Sequence, residues 1–447
     1  MPKGGQGFSL RMKTLKPLVP LARSPDGGSL WQTLQQFPRP VWILFAGTFV
    51  NKFGTFVVPF LALHLTRLGY SPAQAGLALG AYGAGHFVAS LLGGHLADSL
   101  GRRQTIVLST FSGAGAMMLL SQAASLPLLM GLAFLTGMTA EFYKPASSAL
   151  LADLVRPEHR VTAYAGYRFA INAGWSMGPA VAGLLARYSY FWLFVGDAAT
   201  AMVFGLVAWL FLPRERTRER REGGLVANAF HGVTEAARVA VKDRRFVRLV
   251  LATLAVGMVF LQMPTTLGLE IKAAGHPDST YGLVLALNGL IVVLFEIPLS
   301  TYIRRLPPRP IIAAGFALIG CGAGLNAWAA RPWEYALGMV VLTFGEVLSM
   351  SMSLAYAASL APEAMRGRYL GLYGLTWATA VACGPALGMW IFSYQPAVLW
   401  LGCGLTGLLA AGIIGGFMTT RQSREPSVDL ASGASLPPQT PVEPEIP

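Results

Sequence analysis

The sequence predicts an all-α membrane protein of twelve transmembrane helices arranged as two pseudo-symmetric six-helix bundles, and three observations lead there. Hydrophobic residues make up 54% and charged residues only 12% of the 447, with a mean hydropathy of +0.52. Lipid is therefore the solvent of this fold, and an ordinary soluble domain is excluded. Apolar windows of about 20 residues, the length that crosses a bilayer core, recur along the whole chain. Finally, Gly174-Trp175-Ser176-Met177-Gly178-Pro179 and Ala380-Val381-Ala382-Cys383-Gly384-Pro385 interrupt two such windows in the same way, each after a Pro-Glu corner at Pro157-Glu158 and Pro362-Glu363. Matching interruptions at matching distances mark a duplicated chain of the transporter kind.

The spans fall near 41–66, 73–97, 105–122, 126–155, 160–187 and 190–212 in a first half, and near 246–270, 280–303, 310–330, 334–360, 367–391 and 397–418 in a second. Residues 1–40 form a basic leading segment without the apolar core and small-residue cleavage site of a removable signal, so the first span is expected to direct insertion. Residues 41–212 make the amino-terminal bundle and 246–420 the carboxy-terminal one. Between them, 213–245 begins with a charged run and continues with Leu225, Phe230, Val233, Ala237 and Val241 on one face, an amphipathic helix lying outside the membrane. The tail 421–447, rich in proline and acids, and much of 1–36 are expected to be disordered.

The formal charge of +13 raises the question of nucleic acid, and the distribution of the basic residues answers it. Of 34 Lys and Arg residues, 27 lie on segments that share one side of the membrane, including both termini and the central connection. The opposite loops hold only Arg67, Arg187, Lys272 and Arg331. By the positive-inside rule the basic side is cytoplasmic, which predicts a multi-pass protein of the plasma (inner) membrane whose basicity is a topology signal. No nucleic-acid partner is expected, and the lipid bilayer is the principal one. Cys321, Cys383 and Cys403 lack paired spacing and the histidines are scattered, so neither a disulfide framework nor a metal site is expected. There is no nucleotide-binding loop, and the chain reads as no enzyme and as carrying no cofactor beyond a coupling proton.

Between the second and third spans stands Gly93-Gly94-His95-Leu96-Ala97-Asp98-Ser99-Leu100-Gly101-Arg102-Arg103. Gly94 permits close packing, Asp98 ends a helix, and Gly101 turns the chain so that Arg102 and Arg103 can reach carboxylates or helix C-termini, a latch for one conformation. This string resembles the signature of the major facilitator superfamily, with Ser99 in place of the usual basic residue. The resemblance extends over residues 40–420 and implies the major facilitator fold, with Asp98 and the arginines holding the cytoplasmic side shut in the outward-facing state. The run Gly174, Gly178, Pro179, Gly183 is similar to the superfamily's antiporter signature, although Ala182 replaces its penultimate glycine. Its second copy is Gly384, Pro385, Gly388. That resemblance implies export. Asn51-Lys52-Phe53-Gly54 and Tyr167-Arg168 through Asn172 resemble drug-exporting members, the multidrug-resistance branch.

Ionisable groups inside spans are costly unless paired or hydrated, so they mark the working parts. Lys52, Glu141, Lys144 and Arg168 lie in the first half, and Glu296 and Glu346 in the second. Glu141 and Lys144, three residues apart, share a helix face and can pair. Arg168 and Asn172 share another, leading toward Gly178-Pro179. With cations in one half and acids in the other, a charge-complementary central cavity is expected, holding Lys52, Lys144, Arg168, Asn172 and Asn51 opposite Gln262 and Asn288. Proton coupling needs a carboxylate that changes protonation as access alternates. Glu346 leads, with Gly345 leaving room for an approaching group; Glu296 follows, with pairing to Arg304 or Arg305 as its alternative; Glu141 is third. The expected function is secondary active transport by alternating access, a proton-coupled antiporter exporting amphipathic or cationic small molecules as a monomer. The alternative is a proton-coupled importer of peptides, sugars or other small solutes; Asn51-Lys52-Phe53 departs from the doubly acidic first-helix signature of peptide symporters.

Overall fold

The computed structural model describes residues 34–214, 241–303, 306–362 and 365–416. Among these residues the amino-terminal half contains α1 (Arg39–Phe53), α2 (Val57–Arg67), α3 (Pro72–Leu100), α4 (Arg102–Leu120), α5 (Leu126–Glu141), α6 (Tyr143–Leu154), α7 (Arg160–Ala186) and α8 (Phe191–Phe211). The carboxy-terminal half contains α9 (Arg244–Phe260), α10 (Leu267–Ala273), α11 (Asp278–Ile303), α12 (Pro308–Gly324), α13 (Pro332–Leu360), α14 (Arg366–Tyr394) and α15 (Pro396–Gly415). Three crossings are made of two pieces each, α1 with α2, α5 with α6 and α9 with α10, so these helices build the twelve predicted crossings. Ten are long and apolar enough to span a bilayer on their own composition. The other two are α4, which opens on Arg102-Arg103-Gln104-Thr105, and the split α9 and α10. The amphipathic segment expected in the central connection lies outside the described residues apart from Val241.

Local chemistry sets the helix starts. Ser71 and Gln74 form a capping box at α3, each side chain accepting the other's backbone N–H. Asp243 accepts the amides of Arg245 and Phe246 at α9, and Glu334 accepts those of Ala330 and Arg331 at α13.

The duplication is visible in packing. In the first half α7 lies on α1, where a Cβ on Gly174 would sit 2.7 Å from the Phe53 nitrogen; in the second, α14 lies on α9, where Gly384 faces Met258 and Leu261. The halves meet through α3 against α14 and α7 against α11. Small residues permit both contacts. Gly76 of α3 faces Pro385 and Met389, while Gly183 of α7 faces Asp278 and Ser279.

These contacts lie toward one face only, the one where α2 turns into α3 and α10 into α11. The other, where α3 passes to α4 through Gly101-Arg102-Arg103, is the basic face. Near it, Gly94 of α3 and Gly371 and Gly374 of α14 have no neighbour within 4 Å of where a Cβ would stand. Buried apolar side chains agree. The larger cluster joins the second half to Phe56, Phe60, Leu79 and Phe194 of the first, whereas a separate cluster from Phe37 to Leu212 belongs to the first half alone. The molecule is thus closed at the opposite face and open at the basic one.

Two expectations are corrected here. The Gly-Pro sequences interrupt no helix: α7 runs through Pro179 and α14 through Pro385. A proline removes one backbone hydrogen bond, and helices pressed against both flanks hold the rest of the ladder in place. The actual breaks fall at Gly54–Phe56, Phe142 and Leu261–Thr266, the first opening on a glycine and the last containing Pro264.

Candidate functional site

Two polar clusters occupy the middle of the bundle. The first lies between the halves. Arg168 of α7 ion-pairs with Glu296 of α11, and Asn172, one turn along, donates to the other Glu296 oxygen at 3.0 Å. The side chains of Arg168 and Glu296 are 52% and 21% exposed, so the pair faces the opening at the basic side. Glu346 of α13 stands within electrostatic reach of both. Its carboxylate accepts from Asn288 Nδ2 at 2.7 Å, and the same amide donates to Thr343 Oγ1 at 2.9 Å. The expected charge complementarity across the middle is therefore realised by Arg168 and Glu296. Glu296 reaches across the interface in a pairing the sequence did not suggest; Arg304 and Arg305 lie outside the described residues. Gly345 also serves differently from expectation. A Cβ there would press on Gly315 and Ile319 of α12, so this glycine packs helices, and Asn288 is the group that approaches Glu346.

The second cluster is enclosed within the first half. Lys52 of α1 donates to Glu141 of α5 at 3.4 Å and Lys144 of α6 lies 2.6 Å from the other Glu141 oxygen, as the three-residue spacing predicted. Lys52 also stands 5.3 Å from the Tyr143 ring centroid. Side chains of Lys52 and Glu141 are 6% and 8% exposed. The central cavity expected to hold Lys52 and Lys144 opposite the acids of the second half is thus divided: both lysines are matched inside their own half. Glu141, flanked by two ammonium groups, is their common counter-ion. Asn51, Lys52, Tyr82, Glu141 and Asp197 line a polar cavity. Its volume is about 40 Å³, enough for a few waters.

Asp197 of α8 is the residue sequence reasoning missed. It was legible by the rule that found the others, as an acid inside the apolar run Phe191–Phe211. Its Oδ2 accepts the amide of Val57 at 3.2 Å.

Gln262 and Asn288, expected as substrate contacts, are engaged with protein. Gln262, buried in the break between α9 and α10, donates to the carbonyls of Met258 and Gly384 and accepts from the Thr266 hydroxyl. It bonds the broken strand of helix to α14, where a Cβ on Gly388 would collide with it.

In the turn between α3 and α4, the arginines reach a carboxylate and helix carbonyls. Gly101 adopts φ +90°, which only glycine takes without strain. Arg102 ion-pairs with Asp153 of α6 and donates to the Ala149 carbonyl at 2.8 Å, while Arg103 donates to the Trp209 carbonyl near the end of α8. Asp98 is exposed and has no hydrogen bond or ion pair among the described residues. Gly178 packs on the Phe53 carbonyl, so the glycines around Pro179 seat α7 on both α1 and α11.

Two six-helix bundles, glycine-seated helices between them and ion pairs at mid-depth are the architecture of a secondary transporter. The chain belongs to the Major Facilitator Superfamily, whose profile it matches over residues 44–277 and 269–442. It is 26% identical over 403 residues to a Na(+), Li(+), K(+)/H(+) antiporter of Planococcus maritimus, covering 83% of this chain and 92% of that one. It is 24% identical over 365 residues to the multidrug resistance protein MdtH of Yersinia pestis (strain Pestoides F), covering 80% and 88%. Among solved structures, a POT family transporter in complex with 5-aminolevulinic acid superposes with a TM-score of 0.70 at 17% identity, covering 86% of this chain and 98% of that one. The protein is a multi-pass membrane protein and a secondary transporter of small molecules.

Proposed function

We propose that this transporter is a proton-coupled antiporter that exports amphipathic or cationic small molecules, with its basic face in the cytoplasm of the plasma (inner) membrane. The single observation that carries the reading is the Arg168, Glu296, Glu346 group, open to the basic face and assembled from both halves. A cationic cargo entering there competes with Arg168 for Glu296. Displacing that pair removes a bond between the halves at the moment the site fills, which is how a bound ligand biases one arrangement over another. Glu346, held by the neutral amide of Asn288, is the acid free to trade its charge for a proton. The antiporter and multidrug relatives support exchange and export. The fold likeness to the POT family transporter, at 17% identity, carries no weight on direction. Both halves and both clusters reside in one chain, which supports a monomer as the working unit.

Vesicles with an imposed proton gradient test this. Lipophilic cations should move against the proton flow, out through the face opposite the basic one, and Glu346→Gln should abolish substrate-driven proton flux without loss of inserted protein. Persistence of that flux in Glu346→Gln removes Glu346 from coupling, and co-transport in the direction of the protons refutes antiport.

A further inference from the structure

The cavity within the first half has no part in the exchange described above, yet one of its walls bears on the closed face. The first crossing is broken at Gly54–Phe56, and this break is pressed against α8, where a Cβ on Gly54 would land on Thr200. The amides at the start of α2 are left open by that break, and Phe56 at the N-cap offers no side-chain acceptor. Asp197, three residues before Thr200 on α8, supplies the missing one by accepting from Val57. A carboxylate placed there also meets the positive end of the α2 dipole.

Beyond its anchored end, α2 touches α10 and α11, beside the larger contact that α7 makes with α11. Tyr281 of α11 donates to the Pro59 carbonyl at 3.1 Å, its ring lies edge-on to Phe60 at 5.1 Å, and Gly268 of α10 packs on Leu63. These contacts help shut the face opposite the basic one. The charge on Asp197 and the position of the closing helix are thus joined through one hydrogen bond.

We infer that Asp197 is a coupling residue, whose negative charge anchors α2 in the closed arrangement and whose protonation releases it. The inference rests on the proton-coupled reading above and adds to it a second acid, in the opposite half from Glu346. The groups that face Asp197 are the ammonium of Lys52 on α1, the phenol of Tyr82 on α3, the Glu141 carboxylate on α5 and the hydroxyls of Ser109 and Thr110 on α4. Further along, α2 presents His64 against Tyr190 and Phe194. A proton from the medium at the opposite face binds a carboxylate oxygen of Asp197, cancelling its attraction for the amide dipole and for Lys52. On return to the closed arrangement the re-formed anchor favours the anion, and the proton leaves to water on the basic side. Asp197 so used is a positioning residue, acting through α2.

Spin labels at Leu68→Cys, after α2, and Ala274→Cys, after α10, both exposed, report the opening when Cys321, Cys383 and Cys403 are changed to serine. In lipid vesicles the separated population should rise on the order of tenfold between pH 8 and pH 5.5. Asp197→Asn should abolish that dependence. Asn and Ser retain an oxygen that can cap α2, so a purely structural role survives in both, and Asp197→Ser serves where Asn yields no inserted protein. Asp197→Glu, which keeps an ionisable carboxyl, should retain a pH response. An unchanged response in Asp197→Asn or Asp197→Ser overturns the inference while leaving proton coupling intact. A pH-insensitive parent also overturns it, and substrate-driven proton flux in the same vesicles then shows whether the coupled reading falls with it.

Discussion

Charged residues at the same depth do different work according to what surrounds them, and two pairs separate the cases. Glu141 and Lys52 are matched almost out of contact with solvent, with the partly exposed Lys144 at the other Glu141 oxygen. Glu141→Gln removes the carboxylate paired with the buried Lys52, and breaking a buried pair in this way costs about 3 kcal/mol. The expected result is a clear fall in melting temperature in detergent, partly recovered when Lys52→Gln is added, as a double-mutant cycle would show. Arg168 with Glu296 is the contrasting pair. Half-exposed ion pairs contribute about 1 kcal/mol or less, so Glu296→Gln should leave the melting temperature nearly unchanged while export of a cationic substrate fails. Equal thermal effects in the two variants would contradict this division. The sequence made each of these charges conspicuous, because an ionisable group in an apolar run is an anomaly wherever it occurs. It could not reveal their partners: Glu296 is 128 residues from Arg168, and only the meeting of α7 with α11 brings them together.

Among the helices, glycines distinguish contact surfaces in use from surfaces vacant in this arrangement. A Cβ on Gly83 of α3 would stand 2.6 Å from the Val381 carbonyl carbon and 2.7 Å from the Ala382 Cα, both fixed backbone atoms of α14. Gly83→Val should therefore force α3 and α14 apart and shift the spin-label pair described above toward its separated population at every pH. Gly94, eleven residues later on the same helix, meets nothing. Gly94→Val should leave the present arrangement intact and block the one in which the basic face closes, so that substrate binds from that side and is not carried across. The twelve crossings themselves were legible because each needs a run of apolar residues long enough for a bilayer, a constraint that composition alone exposes. The breaks at Gly54–Phe56 and Leu261–Thr266 were not, since the Gly54 and Pro264 found there are matched by Gly178-Pro179 and Gly384-Pro385 inside the unbroken α7 and α14. What fixes them is tertiary: Asp197 caps one and Gln262 bonds the other to α14.

For the molecule as a whole, the proposed exchange needs opening at one face with closure at the other, and we propose that the turn between α3 and α4 acts in the closure not present here. Arg102 and Arg103 already bind α6 and α8 within the first half, whereas Asp98 stands exposed with no partner among the described residues. Its carboxylate has no contact to lose in this arrangement, so Asp98→Asn should change neither melting temperature nor substrate affinity measured from the basic side. The anion is expected to act when α3 and α14 approach at the basic face, where Gly94, Gly371 and Gly374 leave room for them. If Asp98 stabilises that approach by about 1.4 kcal/mol, its loss lowers the population of the opposite arrangement, and with it the maximum transport rate, about tenfold. Vesicle assays separate the two quantities: the rate at saturation should fall while the concentration for half-maximal transport stays where it was. A raised half-saturation concentration at unchanged maximum rate would place Asp98 in substrate binding, and unaltered values of both would leave the exposed carboxylate with no part in the alternation of the two faces.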